Sequence, residues 1–331
     1  MLIAAVPPSQ FVASEGSPYA TAGAVHSLPA RDFDGLQIII VDPSTGKVTI
    51  RDVASESEVA ANSATDPKTT PDAPKATADQ KSAPQDACAN DDGSPSLFAI
   101  INRPDASDST CTVTPHAFLA EFGYGNEIVH DGMSRNVSYP QGFLRYGINS
   151  RLEFDILGPE TAVQRNGSNL QRGWCDSGIG LKLQTGSIGN VHLAVGGSLT
   201  LPSGSSAFTN GAPTEVLNFD ASSDITPSMS WGTTLGLASQ PGQQLDGTTA
   251  RYAALQPAFV VDHNLGEKAQ VYFEAFGVTR IRPDGGSLFG IDGGFQYLLS
   301  PRFEIDVEGQ STVTDVAHAH ALGAGFGILL Y

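Results

Sequence analysis

The stretch Ala319-His-Ala-Leu-Gly-Ala-Gly-Phe-Gly-Ile-Leu-Leu-Tyr331 decides the fold class of this chain. It is rich in glycine, contains no Lys, Arg, Asp or Glu, and stops on an aromatic residue that is also the last residue of the sequence. Soluble domains rarely end on an apolar strand, whereas transmembrane β-barrels close with one and place aromatic residues at the membrane interface. The stretch therefore predicts the closing strand of such a barrel.

Upstream of this stretch, apolar and polar side chains alternate with a period of two. The segment 302–311 carries two interleaved sets: Phe303, Ile305, Val307, and Glu304, Asp306, Glu308. Successive side chains of a strand point to opposite faces, so each set lies on one face, whereas a helix would mix them. The same alternation recurs in 151–156 and 191–201.

These segments predict about twelve strands, near 116–126, 138–148, 151–158, 175–187, 191–202, 214–224, 228–239, 250–262, 269–280, 286–298, 302–312 and 318–331. Long connections at 127–137, 159–174, 203–213 and 240–249 alternate with tight turns such as Gly189-Asn190. Outer-membrane barrels have this arrangement. We predict an all-β fold, an antiparallel up-and-down transmembrane β-barrel spanning 116–331, with a largely disordered N-terminal extension.

Composition excludes two other classes. The chain of 331 residues has 36 Gly, 21 Pro and a formal net charge of −17. It contains no run of about 18 apolar residues, so no transmembrane helix is predicted. Nucleic acid is not an expected partner, because binding it requires a basic surface.

The N-terminal third has a different composition, which divides it into three parts. Residues 1–53 contain two β-branched runs, 36–41 and 47–53, that predict a β-hairpin around Asp42-Pro43-Ser44-Thr45-Gly46. Residues 54–95 are mostly small and polar and predict a disordered linker. Residues 96–115 form a pre-barrel segment. The hairpin is too small to be stable alone, so docking at the periplasmic rim, insertion into the lumen and free mobility stay open.

Residues 1–8 lack the charge and the length of a secretory signal. Either the start is misassigned, or the sequence is a trimmed form, or the predicted location in the bacterial outer membrane is wrong, and we favour the first two. In an oxidising periplasm, Cys88 and Cys111 could pair, which would leave Cys175 single.

Three blocks of the sequence carry a family resemblance: Phe143-Leu-Arg-Tyr-Gly-Ile-Asn-Ser-Arg-Leu-Glu-Phe-Asp155, Asp176-Ser-Gly-Ile-Gly-Leu-Lys182, and Ala194-Val-Gly-Gly-Ser-Leu-Thr-Leu-Pro-Ser-Gly204. In order and spacing they resemble the outer-membrane barrels labelled "putative meta-pathway of phenol degradation", often called transporters. The resemblance covers roughly residues 116–331. It implies a channel for small organic compounds, aromatic or hydrophobic ones included, and it supplies no site residues.

The strand assignment places ten charged residues on the lumen face: Arg145, Arg151, Glu153, Asp155, Lys182, Glu274, Asp292, Glu304, Asp306 and Glu308. Charges facing lipid near the membrane midplane are costly, so the lumen is where they belong. One interpretation is a hydrated ionic network that fills the barrel. The other is a narrow polar pathway whose acidic ladder disfavours anions, as charged rings do in channels.

Other candidate sites are weaker. His318 and His320 share one strand face but form only half of a metal site, so no metal and no cofactor are expected. Trp174, Trp231, Tyr252, Tyr297 and Tyr331 lie near strand ends and predict interfacial girdles.

Three classes of function remain. The first is a channel whose partners are outer-membrane lipids and small organic solutes. The second is a structural or surface-interaction barrel with a filled lumen, in which 159–174 and 203–213 would carry the contacts. The third is a barrel-embedded lipid hydrolase, which is disfavoured because no Gly-x-Ser-x-Gly or His-x-Ser motif is present. We expect no enzyme, and the oligomeric state stays open.

Overall fold

The structure is a computed structural model that describes residues 37–41, 48–52, 88–90, 93–129, 134–158, 160–314 and 318–331. These residues form two units, a small N-terminal hairpin and a large barrel. None of the helices among the described residues has the length and apolar character needed to cross a membrane.

The hairpin consists of β1 (Gln37–Val41) and β2 (Val48–Asp52), which pair antiparallel with Ile39 opposite Ile50. The strands fall where the two β-branched runs predict them. Residues 1–36, 42–47 and 53–87 lie outside the described part, and with them most of the predicted linker.

The second unit begins with a short helix, α1 (Leu97–Ile100), and continues into fifteen strands. Their bounds are β3 (Phe118–Val129), β4 (Ser134–Tyr139), β5 (Phe143–Gly147), β6 (Leu152–Leu157), β7 (Thr161–Asn166), β8 (Asn169–Trp174), β9 (Ser177–Ile188), β10 (Val191–Leu201), β11 (Thr214–Thr226), β12 (Met229–Gln243), β13 (Thr249–Asn264), β14 (Ala269–Val278), β15 (Leu288–Ser300), β16 (Phe303–Thr312) and β17 (Ala319–Leu330).

Within the described residues these fifteen segments make a closed ring of twelve antiparallel strands. β4 with β5, β6 with β7, and β8 with β9 each form one interrupted strand, because both parts pair with the same neighbouring strand or its continuation. The last strand, β17, pairs along its whole length with the first, β3, and so closes the barrel. The predicted antiparallel up-and-down β-barrel of about twelve strands is confirmed.

The three interruptions lie side by side in the wall. Among the described residues, Pro140–Gly142, Gly158 with Glu160, and Cys175–Asp176 separate the two parts of successive strands. Hydrogen bonds still cross the break, from Gly158 N to Gly142 O at 2.9 Å and from Cys175 N to Glu160 O at 2.7 Å. The wall therefore stays continuous across the interruptions.

Two of the predicted long loops are wrong. The segment 127–137 includes the end of β3 and the start of β4, and most of 159–174 is the hairpin β7–β8, with a turn at Gly167 and Ser168. The strands here do not follow the pattern of apolar outer and polar inner side chains: on β8, Leu170, Arg172 and Trp174 share one face, and all three are exposed. Apolar and charged side chains are thus mixed on that face, so the alternation that marks a membrane strand is lost.

The barrel wall has an apolar outer face and a polar inner face. On β16, Ile305 and Val307 are exposed on the outside, whereas Glu304 and Asp306 are buried. On β17 the inner positions include Gly323, Gly325 and Gly327, alternating with outward Leu322 and Phe326. The glycines of the closing strand thus face the interior.

Residues 97–115, which we call the plug segment, lie inside the barrel. At the end of the barrel that carries the tight turns, they form an apolar core with the first and last strands, made of Leu97, Ile100, Ile101, Cys111, Val113, Ala117, Leu119 and Leu329. A disulfide joins Cys88 to Cys111 beside this core. The chain therefore fills the turn end of its own barrel.

Candidate functional site

A buried ionic cluster holds the plug segment against β3, β5 and β6. Arg145 Nη1 lies 2.9 Å from Glu121 Oε1, and Arg145 Nε lies 2.8 Å from Glu153 Oε1. The same guanidinium donates to the backbone carbonyl of Ile100 at 2.6 Å. All three side chains are fully buried, so each charge requires the partners it has here.

The two carboxylates of this cluster also bind the backbone of the plug. Glu121 Oε2 accepts from Asn102 N at 3.1 Å, and Glu153 Oε2 accepts from Val113 N at 2.6 Å. Lys182 Nζ donates to Ser109 O at 3.0 Å and lies 3.6 Å from Glu153. Backbone groups that lack a secondary-structure partner are thereby satisfied by charged side chains.

A second ion pair anchors the plug to β16, two strands away from β3 around the closed wall. Arg103 donates through Nε and Nη2 to the two carboxylate oxygens of Asp306, at 3.2 and 3.1 Å. Its guanidinium lies over Gly123 and Gly325, which are cross-strand partners on β3 and β17. A Cβ at either glycine would overlap Arg103. The missing side chains create the space for the arginine.

The remaining contacts complete the ring. Glu274 on β14 accepts from Ala106 N at 2.6 Å and Ser107 Oγ at 2.7 Å. Asp108 N donates to Thr234 Oγ1 on β12 at 2.7 Å, and its carboxylate accepts from Asn218 Nδ2 on β11 at 2.6 Å. The plug segment thus spans the lumen and binds strands on every side of it.

Beyond the plug, toward the end with the longer loops, lies a cavity of about 300 Å³. Its floor includes the plug residues Arg103, Pro104 and Ala106. Its walls combine polar side chains with apolar and aromatic ones, the latter including Val216, Phe208, Tyr252, Phe276, Ile281 and Leu288. A concave, partly apolar volume of this size is typical of small-molecule sites.

Asp176 shapes one wall of the cavity by folding the loop 202–213. Its two carboxylate oxygens accept from Gly204 N and Asn210 N, both at 2.8 Å. Between these two anchors, Phe208 is only 1% exposed and packs beside Gly173, where a Cβ would come within 2.7 Å of its ring. The loop therefore points inward rather than away from the barrel.

The structure buries nearly all of the charged residues predicted for the lumen. Arg145, Glu153, Asp306 and Lys182 hold the plug directly, and so does Glu274. Glu304 and Asp292 are buried with carboxylate oxygens that have no hydrogen-bond partner among the described residues. Asp155 is buried opposite Arg145, and Glu308 is half-buried on β16.

Arg151 does not line the lumen. It is exposed in the tight turn between β5 and β6, where its backbone N–H donates to Asn149 Oδ1 at 2.9 Å. The turn extends from 148 to 151, so Arg151 precedes the alternating part of the strand. Its side chain faces solvent for that reason.

Tyr252 was predicted for an interfacial girdle but lies on the inner face of the barrel. It is 5% exposed and shares its side of β13 with Ala254, Ala258 and Val260, whereas Leu255 and Phe259 face outward. Trp174, Tyr297 and Tyr331 are exposed. The sequence did contain a signal for this position: the outward apolar residues of β13 have odd numbers, so the even-numbered Tyr252 points inward.

The rings of the weak metal candidates His318 and His320 meet edge to face, with centroids 5.4 Å apart. In the described part of the chain, no group of three or more His, Cys, Asp or Glu side chains is arranged to hold a metal ion. The thiol of Cys175 is free and half-buried.

The family described as "Putative MetA-pathway of phenol degradation" matches residues 101–330. The chain belongs to this family. The match begins inside the plug segment and therefore includes Arg103 as well as the whole barrel. The three sequence blocks that carry the resemblance contain Arg145, Glu153 and Lys182, which hold the plug, and Asp176, which holds the inward loop.

Comparison with solved structures finds other outer-membrane barrels. An outer membrane channel from Pseudomonas putida F1 has 10% identity and a TM-score of 0.52, covering 67% of this chain and 98% of that one. The NanC porin has 9% identity and a TM-score of 0.47, covering 62% and 98%. The CymD monoaromatic hydrocarbon channel has 9% identity and a TM-score of 0.38, covering 66% and 89%. At these identities the first likeness concerns the fold alone. The comparison with curated proteins found no match.

Several residues of the site escaped the sequence analysis. Glu121 shares strand parity with Leu119 and Gly123, so the alternation of β3 could have identified it. Arg103 and Asp108 lie in a segment without periodicity, and no sequence signal connects them to strands more than a hundred positions away.

Proposed function

We propose that this protein is an outer-membrane channel for small organic solutes, aromatic ones included. The observation that carries the proposal is the cavity of about 300 Å³ inside a closed barrel, with apolar and aromatic side chains in its wall. Solutes enter it from the loop end, and the plug segment closes the turn end. Bacterial outer-membrane lipids cover the apolar outer face. The cavity serves passage rather than catalysis.

Passage requires the plug segment to move, because it binds strands around the whole lumen. Its anchors are hydrogen bonds and ion pairs between side chains and a short, mostly non-helical segment, so it can separate from the wall without breaking the strand ladder. The barrel keeps its shape when the plug shifts, since the twelve strands close on one another.

A second candidate function is a structural barrel with a permanently filled lumen. The observation that favours it is the density of anchors, with Glu121, Glu153, Glu274 and Asp306 all bonded to the plug segment. Such a protein would act through its outer loops, and its cavity would not lead anywhere.

Permeation through the full chain separates the two candidates. The refolded protein is placed in planar bilayers for conductance and in liposomes for swelling, with arabinose as a small polar solute and arbutin as an aromatic one. We expect low, fluctuating conductance and swelling in both solutes. A barrel that is folded by heat-modifiable gel mobility, yet neither conducts nor permits swelling, would overturn the channel and leave the structural role.

A further inference from the structure

Three arginines form a basic patch on the outer face of the barrel, toward the end with the longer loops. Arg135 on β4, Arg165 on β7 and Arg172 on β8 are all exposed, and these three strands are neighbours in the wall. Asn136 and Gln164, which adjoin two of the arginines in sequence, line the cavity, so those arginines point to the opposite face. We call this patch the arginine face. It lies on an acidic chain, whose formal net charge is −17.

The register of the strands holds the three charges close together. Arg135 and Arg165 are direct cross-strand partners. Arg172 is opposite Val163, which lies two residues from Arg165 and therefore on the same face. Like charges directly opposite each other destabilise a sheet. An anion bound between Arg135 and Arg165 would remove this repulsion.

The neighbours of these arginines orient them without neutralising them. Arg135 Nε donates to Asn126 Oδ1 at 2.6 Å, and the guanidinium of Arg172 lies 5.9 Å from the centre of the Tyr139 ring. Both partners are neutral side chains. Among the residues that the structure describes, no Asp or Glu forms an ion pair with any member of the arginine face. Three positive charges are therefore available to a ligand.

Arg251 shows how an outward arginine is held elsewhere in the barrel. It lies on β13 at the same end, pairs with Glu215 of β11, and donates to the carbonyl oxygen of Pro213 at 2.6 Å. Its charge is thus compensated by the chain itself. The arginine face lacks such a pair within the described chain, which leaves it free to bind an anion from the surroundings.

The position of the arginine face along the strands points to the level of the lipid headgroups. Tyr139 on β4 and Trp174 on β8 are both opposite Thr161, on the outer face. The arginines lie farther toward the loops, Arg172 by two residues and Arg135 by four, which is roughly 7–13 Å at the rise of a strand. Aromatic side chains mark the membrane interface, and a long arginine side chain extends its charge into the polar layer beyond it.

Apolar side chains on the same face distinguish a lipid from a free ion. Leu170 is the direct partner of Arg165 and is exposed. Ile128 is the direct partner of Arg135 and is exposed too, as is Trp174. A free phosphate ion would gain nothing from these residues, whereas the acyl chains of a lipid would cover them and remove them from water.

We propose that the arginine face binds a membrane lipid whose headgroup is a phosphate monoester, with the acyl chains lying along the apolar outer wall. Guanidinium groups bind phosphate oxygens through two parallel hydrogen bonds, and two opposed arginines match a group that carries up to about two negative charges. The inference does not depend on the proposed channel function, because it concerns the outer surface and not the cavity.

The test uses Trp174 as a reporter, because it lies two residues from Arg172 on the same face. The chain has two tryptophans, so Trp231→Phe leaves Trp174 as the only emitter. The full chain with this substitution is reconstituted in phosphatidylcholine vesicles that contain a small fraction of lipid with brominated acyl chains, which quench fluorescence at short range. We expect brominated phosphatidic acid, a phosphate monoester, to quench Trp174 as if enriched roughly three- to tenfold over brominated phosphatidylcholine with the same chains.

Two controls separate the arginine face from the rest of the outer surface. Trp174→Phe leaves Trp231, near the turn end of β12, where the two brominated lipids should quench nearly equally. Arg251→Gln in the Trp231→Phe chain changes an outward arginine that already has a partner, and it should leave the enrichment at Trp174 unchanged. All chains are compared as folded barrels by heat-modifiable gel mobility.

Substitution of the three arginines should remove the preference. In the Trp231→Phe chain, Arg135→Gln/Arg165→Gln/Arg172→Gln should bring the two lipids to equal quenching. Lysine at the same three positions keeps the charge but loses the paired hydrogen bonds, so it should retain part of the preference. Inorganic phosphate, added at constant ionic strength, should not displace the brominated phosphatidic acid.

Four outcomes would overturn the inference. They are equal quenching of Trp174 by the two lipids, an equal enrichment of phosphatidic acid at Trp231, an enrichment that survives the glutamine substitutions, and displacement by inorganic phosphate. The last result would assign the arginine face to the free ion rather than to a lipid. The comparison of Trp174 with Trp231 tests the inference without any change to the arginines.

Discussion

The inner carboxylates of this barrel bind a peptide backbone. Glu121, Glu153 and Glu274 each accept a backbone N–H of the plug segment, from Asn102, Val113 and Ala106. Hydrogen bonds to charged acceptors are stronger than those between neutral groups. A residue pattern that resembles the charged lining of an open pore is therefore the docking surface for the chain's own segment.

Gly325→Ala tests whether the glycines of the closing strand make room for the plug. The added methyl would overlap the Arg103 guanidinium and disturb its pairing with Asp306. Overpacking of this kind costs about 1–3 kcal/mol. Here it destabilises the docked position of the plug segment and leaves the hydrogen bonds between the strands intact. We expect higher conductance in planar bilayers with an unchanged heat-modifiable gel shift.

Gly309→Ala is the control for this substitution. Gly309 faces outward on β16, and a Cβ there would meet Leu322 at an ordinary 3.8 Å. Its conductance should equal that of the wild type. If Gly325→Ala behaves in the same way, Arg103 is not confined by the glycines.

Asp284 links two loops at the loop end of the barrel, and the link should depend on pH. Its carboxylate accepts from Leu245 N at 2.9 Å and pairs with Arg282 at 3.1 Å. The bond from Leu245, with the Arg282 pair, holds the pKa of Asp284 below its ordinary value. A depressed pKa means that the link is fully present above the ordinary Asp range and is lost as the pH falls below about 4.

The amide proton of Leu245 reports this link directly. Its hydrogen exchange, corrected for the intrinsic pH dependence, should be protected near neutral pH and should lose protection on acidification. In Asp284→Asn the amide oxygen still accepts but no longer titrates, so the protection should become insensitive to pH. A pH-dependent loss in the variant as well would assign the effect to another group, such as the neighbouring Asp246.

At the scale of elements, alternation is a reliable signal only inside the membrane band. The strands β9 to β17 were predicted within a few residues, because their outward side chains are apolar and their inward ones small or polar. β4, β7 and β8 were missed because their six-residue segments do not alternate: β8, for example, exposes Leu170 and Trp174 on the same face as Arg172. These three short strands pair with one another, β4 with β7 and β7 with β8.

The disulfide closes a loop that contains most of the plug segment. The bond joins Cys88 to Cys111, 23 positions apart, and encloses α1 together with the first anchors of the lumen. Closing a loop of this length restricts the conformations of the unfolded chain, which stabilises the folded segment by about 3 kcal/mol in the chain-entropy model. The segment therefore behaves as one closed loop, docked as a unit.

Replacing both cysteines with serine should loosen this loop and leave the barrel closed. We expect larger conductance fluctuations for Cys88→Ser/Cys111→Ser, with the gel shift of the folded barrel retained. Thiol labelling of the denatured wild type provides the check: one thiol, that of Cys175, without reductant, and three after reduction. Cys175→Ser is the matched control, and its conductance should be that of the wild type.

At the scale of the whole molecule, the barrel could be predicted from the sequence and its contents could not. Strand number, closure and the inward charges follow from a local period of two, which a single sequence displays. The plug depends on contacts such as Arg103 with Asp306, which join positions 203 apart in the chain. No local pattern marks such a pair. Arg151 fits the alternating pattern but does not face the lumen, because the turn covers residues 148–151 and is two residues longer than the predicted 149–150.

The seam between β3 and β17 joins the first and the last strand of the barrel, and Arg103 lies on its inner side over Gly123 and Gly325. During assembly the chain supplies its strands in order, so this seam can form only when β17 has arrived. The segment that Arg103 belongs to precedes all twelve strands. The pairing of β17 with β3 therefore takes place around the plug segment, which belongs to the same chain. A plug segment that does not fit inside the barrel would hinder this last step of closure.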